Sequence, residues 1–203
     1  MIHFFVERDV TGGADEHSRT ASPGPGRSPW RSRIKLEAAL AIAIDHEHRV
    51  RDHYVRGAGE ILDPQGRRVF ETLAREEQGH VDYLESRMEE WKRRGVVTAP
   101  DLSSVVPAPE FVTRAGRAMQ QGPEATVAVQ SELELLRVAL ELEHSTSTFY
   151  RQVVDTLDPE HQPLFARFLE IELGHLAIVQ AEIDSLAGSG NWFDFMEINL
   201  EGA

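Results

Sequence analysis

Two stretches of the chain, AREEQGHVDYL (residues 74–84) and LEIELGHLAIV (residues 169–179), each place a Glu three residues before a His inside an apolar pattern of helical period. They belong to a longer repeat. Asp63 precedes Glu77 by fourteen residues, and Asp158 precedes Glu172 by fourteen. Phe70 aligns with Phe165, Leu73 with Phe168 and Met88 with Ile183. Upstream, Glu47 stands seven residues before Tyr54, and Glu143 seven before Tyr150. The chain is thus a helix pair written twice, at an offset of about 95 residues. A helix pair with one apolar face cannot bury that face alone, so the two copies must pack on each other.

Four long helical patterns follow from this reading. The first spans about Ser32 to Glu60 and carries Leu36, Leu40, Ala43, Ile44, Val50, Tyr54 and Val55 on one face. The second opens with Asp63 as N-cap and Pro64 at the first helical position, and closes near Gly95 after the basic WKRR run. The third runs from near Pro123 to about Leu157. The fourth opens at Asp158-Pro159 and stops in the AGSG stretch near Gly188. No stretch alternates with strand period. The fold class is all-α: a four-helix bundle of two repeated helix pairs, with short turns inside each pair. A long crossover joins helices two and three, carrying a short helix near Phe111 to Gln120. Residues 1–30, rich in Ser, Pro and Gly, read as a flexible N-terminal arm; residues 31–188 form the bundle, and residues 189–203 an aromatic and acidic tail.

Positions 40, 43, 44, 47, 50 and 54 share one helical face, so Glu47 interrupts an apolar stripe. Glu143 does the same among Leu136, Leu140 and Tyr150. Positions 70, 73, 77, 80, 81 and 84 make the inward stripe of the second helix, which points both Glu77 and His80 inward. Glu172 and His175 sit likewise among Phe165, Phe168, Leu176 and Val179. Glu76 also precedes His80, but its equivalent in the other copy is Ile171, and it is rejected. Four carboxylates buried together repel one another and cost on the order of several kcal/mol each in desolvation. Two divalent cations offset four Glu charges with both His neutral. Glu and His at i and i+3 reach one metal, and the two Glu from the other helices can bridge a pair. The metal-ligand set is therefore Glu47, Glu77, His80, Glu143, Glu172 and His175.

Composition narrows the chemistry. The 203 residues, 41% apolar, suffice for one cored domain. The absence of Cys excludes disulfides, Cys-ligated zinc, iron–sulfur clusters and a rubredoxin-type iron site. A formal charge of −13 repels nucleic-acid backbones and anionic membranes and concentrates cations. No apolar run approaches membrane-spanning length, and the start MIHFFVERD is too short and acidic for a signal peptide. The expected location is cytoplasmic, with neither nucleic acid nor membrane as partner.

The segments AIAIDHEHRVRDHYVRGA, FETLAREEQGH, ALELEHSTSTFY and FARFLEIELGH resemble the ligand helices of the ferritin-like superfamily, and within it the rubrerythrin group. The resemblance covers about residues 34–186. It implies a di-iron centre, two iron ions per chain held by the six residues above, that reduces hydrogen peroxide or dioxygen. Rubrerythrins proper carry a seventh carboxylate one turn after the third-helix Glu, where this chain has Thr146. They often carry a Cys-rich rubredoxin module as well, and this chain has none, so electrons must come from a separate donor protein. The six-ligand set is equally similar to that of bacterioferritin, which keeps ferroxidase and iron storage as an alternative. Manganese, with catalase-like chemistry, is another, because hard carboxylates suit it too. A homodimer or higher homo-oligomer is expected.

Other residues carry bland readings. Glu141 and His144 repeat the Glu-x-x-His spacing but straddle the ligand face and receive no role. His46, His48 and His53 fall off the inward stripe and are expected to face solvent. Tyr54 and Tyr150 are candidates for hydrogen bonds to ligand carboxylates or for electron transfer, against a reading as core aromatics with a satisfied hydroxyl. Trp192, Phe193 and Phe195 are expected to cap the bundle or a dimer interface.

Overall fold

Helix periodicity, capping and proline placement set the observed elements. The structure, a computed structural model, describes residues 35–105, 109, 112 and 127–193. Among them are four long helices and no strand: α1 (Leu36–Glu60), α2 (Pro64–Arg94), α3 (Val127–Thr156) and α4 (Gln162–Ser189). The expected N-terminal arm, the region around Pro123 and Phe195 lie outside the described residues. So does the expected short helix near Phe111 to Gln120, apart from Val112, which is helical and buried.

Asp63 caps α2 as its sequence position predicts. Its carboxylate accepts from the backbone N–H of Gln65 at 2.7 Å and of Gly66 at 3.2 Å, and Pro64 follows at the helix start. The helix ends at Gly95, which takes the left-handed φ of 67° that favours glycine. Gly190 ends α4 in the same way at φ 71°, so the repeat extends to the helix stops and the second stop falls just past the expected Gly188.

The start of α4 differs from expectation. Residues 158–161 form a turn closed by the His161 N–H on the Asp158 carbonyl at 3.0 Å, and the helix begins at Gln162. Pro163 explains the delay. Had the helix begun at Pro159, Pro163 would fall where a backbone N–H must donate to the preceding turn, and proline has none. Beginning at Gln162 moves Pro163 into the first turn, where no intrahelical donor is needed.

α1 packs mainly on α2, α3 mainly on α4, and α1 also meets α3. The apolar side chains gather in two clusters. One contains Val50 and Tyr54 of α1, Val69, Phe70 and Leu73 of α2, Leu133 and Leu136 of α3, and Ile178 and Leu186 of α4. The other contains Leu40 and Ala43, Leu84 and Met88, Tyr150 and Val153, and Phe165 and Phe168. Each fully buried Leu or Phe contributes about 1.5–3 kcal/mol. On every helix the Glu or Glu-x-x-His positions lie between the stretches that supply these two clusters. Val55, expected on the inward face of α1, is 57% exposed, because it sits about 100° round the helix from Tyr54.

The tail closes one apolar cluster. Trp192 stacks edge-on against Phe70 and donates its indole N–H to Glu132 Oε2 at 2.9 Å, while the Phe193 N–H donates to Glu182 Oε2 at 2.8 Å. Glu132 Oε1 also accepts from the N–H groups of Leu62 and Asp63, so one buried carboxylate ties α3 to both the α1–α2 turn and the tail. Trp192 and Phe193 are buried bundle caps, one of the two expected roles.

Candidate metal centre

Each helix delivers its polar residues to the same place. Glu47, Glu77, Glu143, Glu172 and His175 are fully buried, and His80 is 1% exposed. Ligand atoms of Glu77, His80, Glu172 and His175 all lie within 4.8 Å of one another, a group that could hold a metal ion. His80 Nδ1 lies 3.2 Å from Glu77 Oε2, 3.2 Å from Glu47 Oε2 and 3.4 Å from Glu172 Oε1. His175 Nδ1 lies 2.7 Å from Glu77 Oε1, 3.8 Å from Glu143 Oε2 and 3.9 Å from Glu172 Oε2. The two imidazoles stack at 5.4 Å between centroids. All six residues singled out from the sequence thus meet at one point.

The four carboxylates face the two imidazoles unequally. Glu77 and Glu172 each turn one oxygen toward His80 and the other toward His175. Of the two imidazoles, Glu47 meets only His80, and Glu143 only His175. The spanning pair therefore comes from the two Glu-x-x-His helices, and α1 and α3 supply the flanking carboxylates.

Two crossed hydrogen bonds hold those flanking groups. Tyr54 of α1 donates to Glu143 Oε1 of α3 at 2.5 Å, and Tyr150 of α3 donates to Glu47 Oε1 of α1. Both tyrosines are thus core aromatics whose hydroxyls bond the cluster carboxylates. Each thereby fixes one oxygen of its carboxylate and leaves the other facing the cluster.

The electrostatics are those of a crowded acidic pocket. Burial, and then the Glu77 charge, push Glu47 up to about 8. Burial also raises Glu143 to about 7, against the attraction of His175. Glu172 is held well above the usual carboxylate range by burial and by Glu47, Glu77 and Glu143. At Glu77 burial acts upward, but the charges of His175 and His80 outweigh it and hold the group well below its ordinary value. Both imidazoles are raised despite burial, chiefly by Glu77. Tyr54 and Tyr150 are raised well above 10 by burial and by Glu143 and Glu47 respectively, which keeps them donors.

Protein–protein contacts leave this cluster under-satisfied. Both oxygens of Glu172, Oε2 of Glu143, Oε1 of Glu77, both nitrogens of His175 and Nε2 of His80 are buried without a hydrogen-bond partner. His175 Nδ1 and Glu77 Oε1, though 2.7 Å apart, are not aligned as donor and acceptor. Each such orphaned group costs about 1–3 kcal/mol, and more if charged. Hard oxygen donors with two imidazoles, aimed at one point and lacking protein partners, fit divalent metal ions.

The remaining expectations divide. Glu76 points away and accepts from Ser104 Oγ at 2.6 Å and the Val105 N–H at 3.2 Å. Glu141 and His144 are exposed. His46 is half-buried, stacked on Phe149 and within 3.3 Å of the Thr146 hydroxyl. His48 lies near the surface, 3.7 Å from Glu85. His53 contradicts expectation: it is 4% exposed, between α1 and α3, with Nε2 2.9 Å from the Leu135 carbonyl. Its position beside Tyr54 faces α3, a neighbour that the periodicity of one helix does not reveal. Glu132 and Glu182, the buried carboxylates that anchor the tail, carried no sequence signal, since neither sits in a repeated motif. No helix among the described residues is long and apolar enough to cross a membrane. No protein-family model, curated protein or solved structure matches the chain.

Proposed function

We propose that the chain is a ferritin-like bundle of rubrerythrin type: a dinuclear-metal oxidoreductase that reduces hydrogen peroxide. The observation that carries this reading is the convergence of four buried carboxylates and two imidazoles, with their free lone pairs facing one another. Glu47, Glu77, His80, Glu143, Glu172 and His175 would hold the two iron ions, with Glu77 and Glu172 facing both imidazoles, Glu47 facing His80 and Glu143 facing His175. Bound there, two Fe(II) ions supply the two electrons that convert hydrogen peroxide, with two protons, to two waters. The chain's own contribution is placement. Tyr54 and Tyr150 hold the flanking carboxylates, and the apolar clusters on either side exclude water. These 203 residues hold no Cys for a rubredoxin-type iron site, and the proposed electron source is a separate donor protein.

The order of the clusters along the helices supports the ferritin-like topology. α1 and α4 run from the cluster of Phe168 to that of Phe70, and α2 and α3 run the opposite way. Helices two and three are then parallel, as a crossover connection between them requires.

Anaerobic titration with Fe(II), followed by separate pulses of hydrogen peroxide and dioxygen, tests the reading. Two Fe(II) per chain and faster oxidation by peroxide are expected. A preference for dioxygen, with iron accumulating far beyond two per chain, makes the protein a ferroxidase. Manganese retained in preference to iron points to catalase-like chemistry, and absence of metal uptake overturns the reading.

A further inference from the structure

The two copies of the repeat end differently. After Gly190 the chain places Trp192 and Phe193 against the cluster of Phe70 and Leu73, and both are buried. After Gly95, the equivalent stop, no large aromatic follows: Val97 stands where the tail has Trp192. Residues 99–102 instead frame a cavity of about 360 Å³, lined also by Tyr83 of α2 and by Pro163, Leu164, Arg167 and Phe168 of α4. Its rim is fixed by two hydrogen bonds. The Tyr83 hydroxyl donates to the Pro100 carbonyl at 2.8 Å, and Arg167 Nε donates to the Leu102 carbonyl at 3.1 Å.

One ring separates this cavity from the Glu/His cluster. Phe168 lines the cavity, meets Tyr83 at 5.7 Å between centroids, and lies edge-on to the imidazole of His80 at 5.3 Å. Its counterpart in the other copy is Leu73, packed under the closed end with Phe70 and Trp192. Among the described residues the bundle is thus plugged at one end and recessed at the other, and the recess reaches down to a side chain that touches a candidate ligand.

We propose that this cavity is the route by which small neutral solutes, hydrogen peroxide foremost, reach the cluster, with the Phe168 ring as its gate. The proposal rests on the metal-centre reading above. A neutral solute is not repelled by the acidic chain. The Phe168 ring is fully buried between the cavity and His80, so the way opens only when that ring turns within its packing. Phe168 touches the ligand His80 and is therefore a gating residue, not a catalytic one.

The chain has no Cys, so a single introduced thiol is labelled uniquely. Asp101→Cys, at the rim, is to be labelled with a bulky maleimide, and Val55→Cys, on an exposed part of α1, serves as control. The first readout is nitric oxide binding to the anaerobic Fe(II)-loaded protein, followed by visible absorption. The second is oxidation by hydrogen peroxide and by cumene hydroperoxide. The Asp101 label should slow nitric oxide binding and peroxide oxidation tenfold or more, and the Val55 label should leave both unchanged. Phe168→Leu, which copies the residue of the other half, should speed nitric oxide binding and admit cumene hydroperoxide, with iron stoichiometry unchanged. Equal rates for the two labelled proteins overturn the route. A slowing label together with an unchanged Phe168→Leu overturns the gate. A protein that takes up no Fe(II) overturns the function and the route together, and is distinguished by the titration itself.

Discussion

The Tyr54 hydroxyl reaches from α1 to Glu143 on α3, and Tyr150 reaches back from α3 to Glu47 on α1. The pair of contacts is reciprocal because the repeat is: each first helix supplies a carboxylate and, two turns on, the donor for its partner's carboxylate. Both hydroxyls are fully buried, and removing either leaves a carboxylate oxygen unpaired. Tyr54→Phe and Tyr150→Phe should each weaken Fe(II) affinity by roughly 10–100-fold at one site, the usual effect of losing a group that orients a ligand. Each should also destabilise the metal-free fold by about 1–3 kcal/mol. Equilibrium metal titrations and urea midpoints measure the two effects. Unchanged affinity in both variants would make the tyrosines plain core residues.

Stoichiometry separates the two halves of the cluster. His80 has Glu47 beside it and His175 has Glu143, while Glu77 and Glu172 face both. His80→Ala should therefore lower Fe(II) binding from two per chain toward one, and His175→Ala should do the same at the other site. Loss of both ions in either variant would show that the sites bind as one cooperative unit, and saturation at one ion in the wild type would rule out a dinuclear centre. Anaerobic equilibrium dialysis gives the count.

The six cluster residues were legible because a repeat doubles the information: a single Glu-x-x-His is weak, whereas two in register with apolar stripes fix which side chains face inward. The same logic located Asp63 and Gly95. It failed at Asp158, where Pro163, absent from the first copy, moved the helix start. It failed at His53, because one helix's periodicity does not tell where a third helix will lie. That Glu77 and Glu172 each face both imidazoles was not legible either, since it depends on how closely α2 and α4 approach. The cavity at residues 99–102 exists because the copies differ after their glycine stops, and sequence shows that difference without showing which end is closed.

Gly66 is a packing position that pattern alone does not mark. It lies in the first turn of α2, where alanine is ordinarily the better helix former by about 1 kcal/mol. A Cβ there would stand 2.2 Å from the indole Cε2 of Trp192, inside the ring system and far from any flexible end. Gly66→Ala should thus destabilise the protein by about 1–3 kcal/mol, as overpacking does, and shift Trp192 toward solvent. A lowered urea midpoint with red-shifted tryptophan fluorescence is expected. A gain in stability would mean that the tail contributes little to the fold.

The pH dependence of stability should reverse sign when metal binds. In the metal-free protein Glu47 is raised to about 8, Glu143 to about 7, and Glu172 well above the carboxylate range, against an unfolded value of about 4.3. The folded state therefore holds protons that the unfolded state has released. This contribution is complete below about pH 4.3 and is lost as pH rises through 7 and 8. His80 and His175, also raised, add stability that is complete below about pH 6.5 and is lost above it. Glu77 is depressed and acts the other way: its contribution is present above about pH 4.3 and fades only in strong acid. The thermal midpoint of the metal-free protein should accordingly fall between pH 5.5 and 8.5. Metal ligation requires deprotonated Glu and neutral His, so loading releases protons, and stabilisation by metal should grow over the same interval. Glu143→Gln removes a carboxylate that is charged and buried at pH 8.5. It should raise the metal-free midpoint there, leave it nearly unchanged at pH 5.5, and weaken metal binding at both. Scanning calorimetry of wild type and variant, with and without Fe(II) under anaerobic conditions, measures all of these. A metal-free midpoint that rises with pH, together with a destabilised Glu143→Gln, would identify the cluster as a structural hydrogen-bond network.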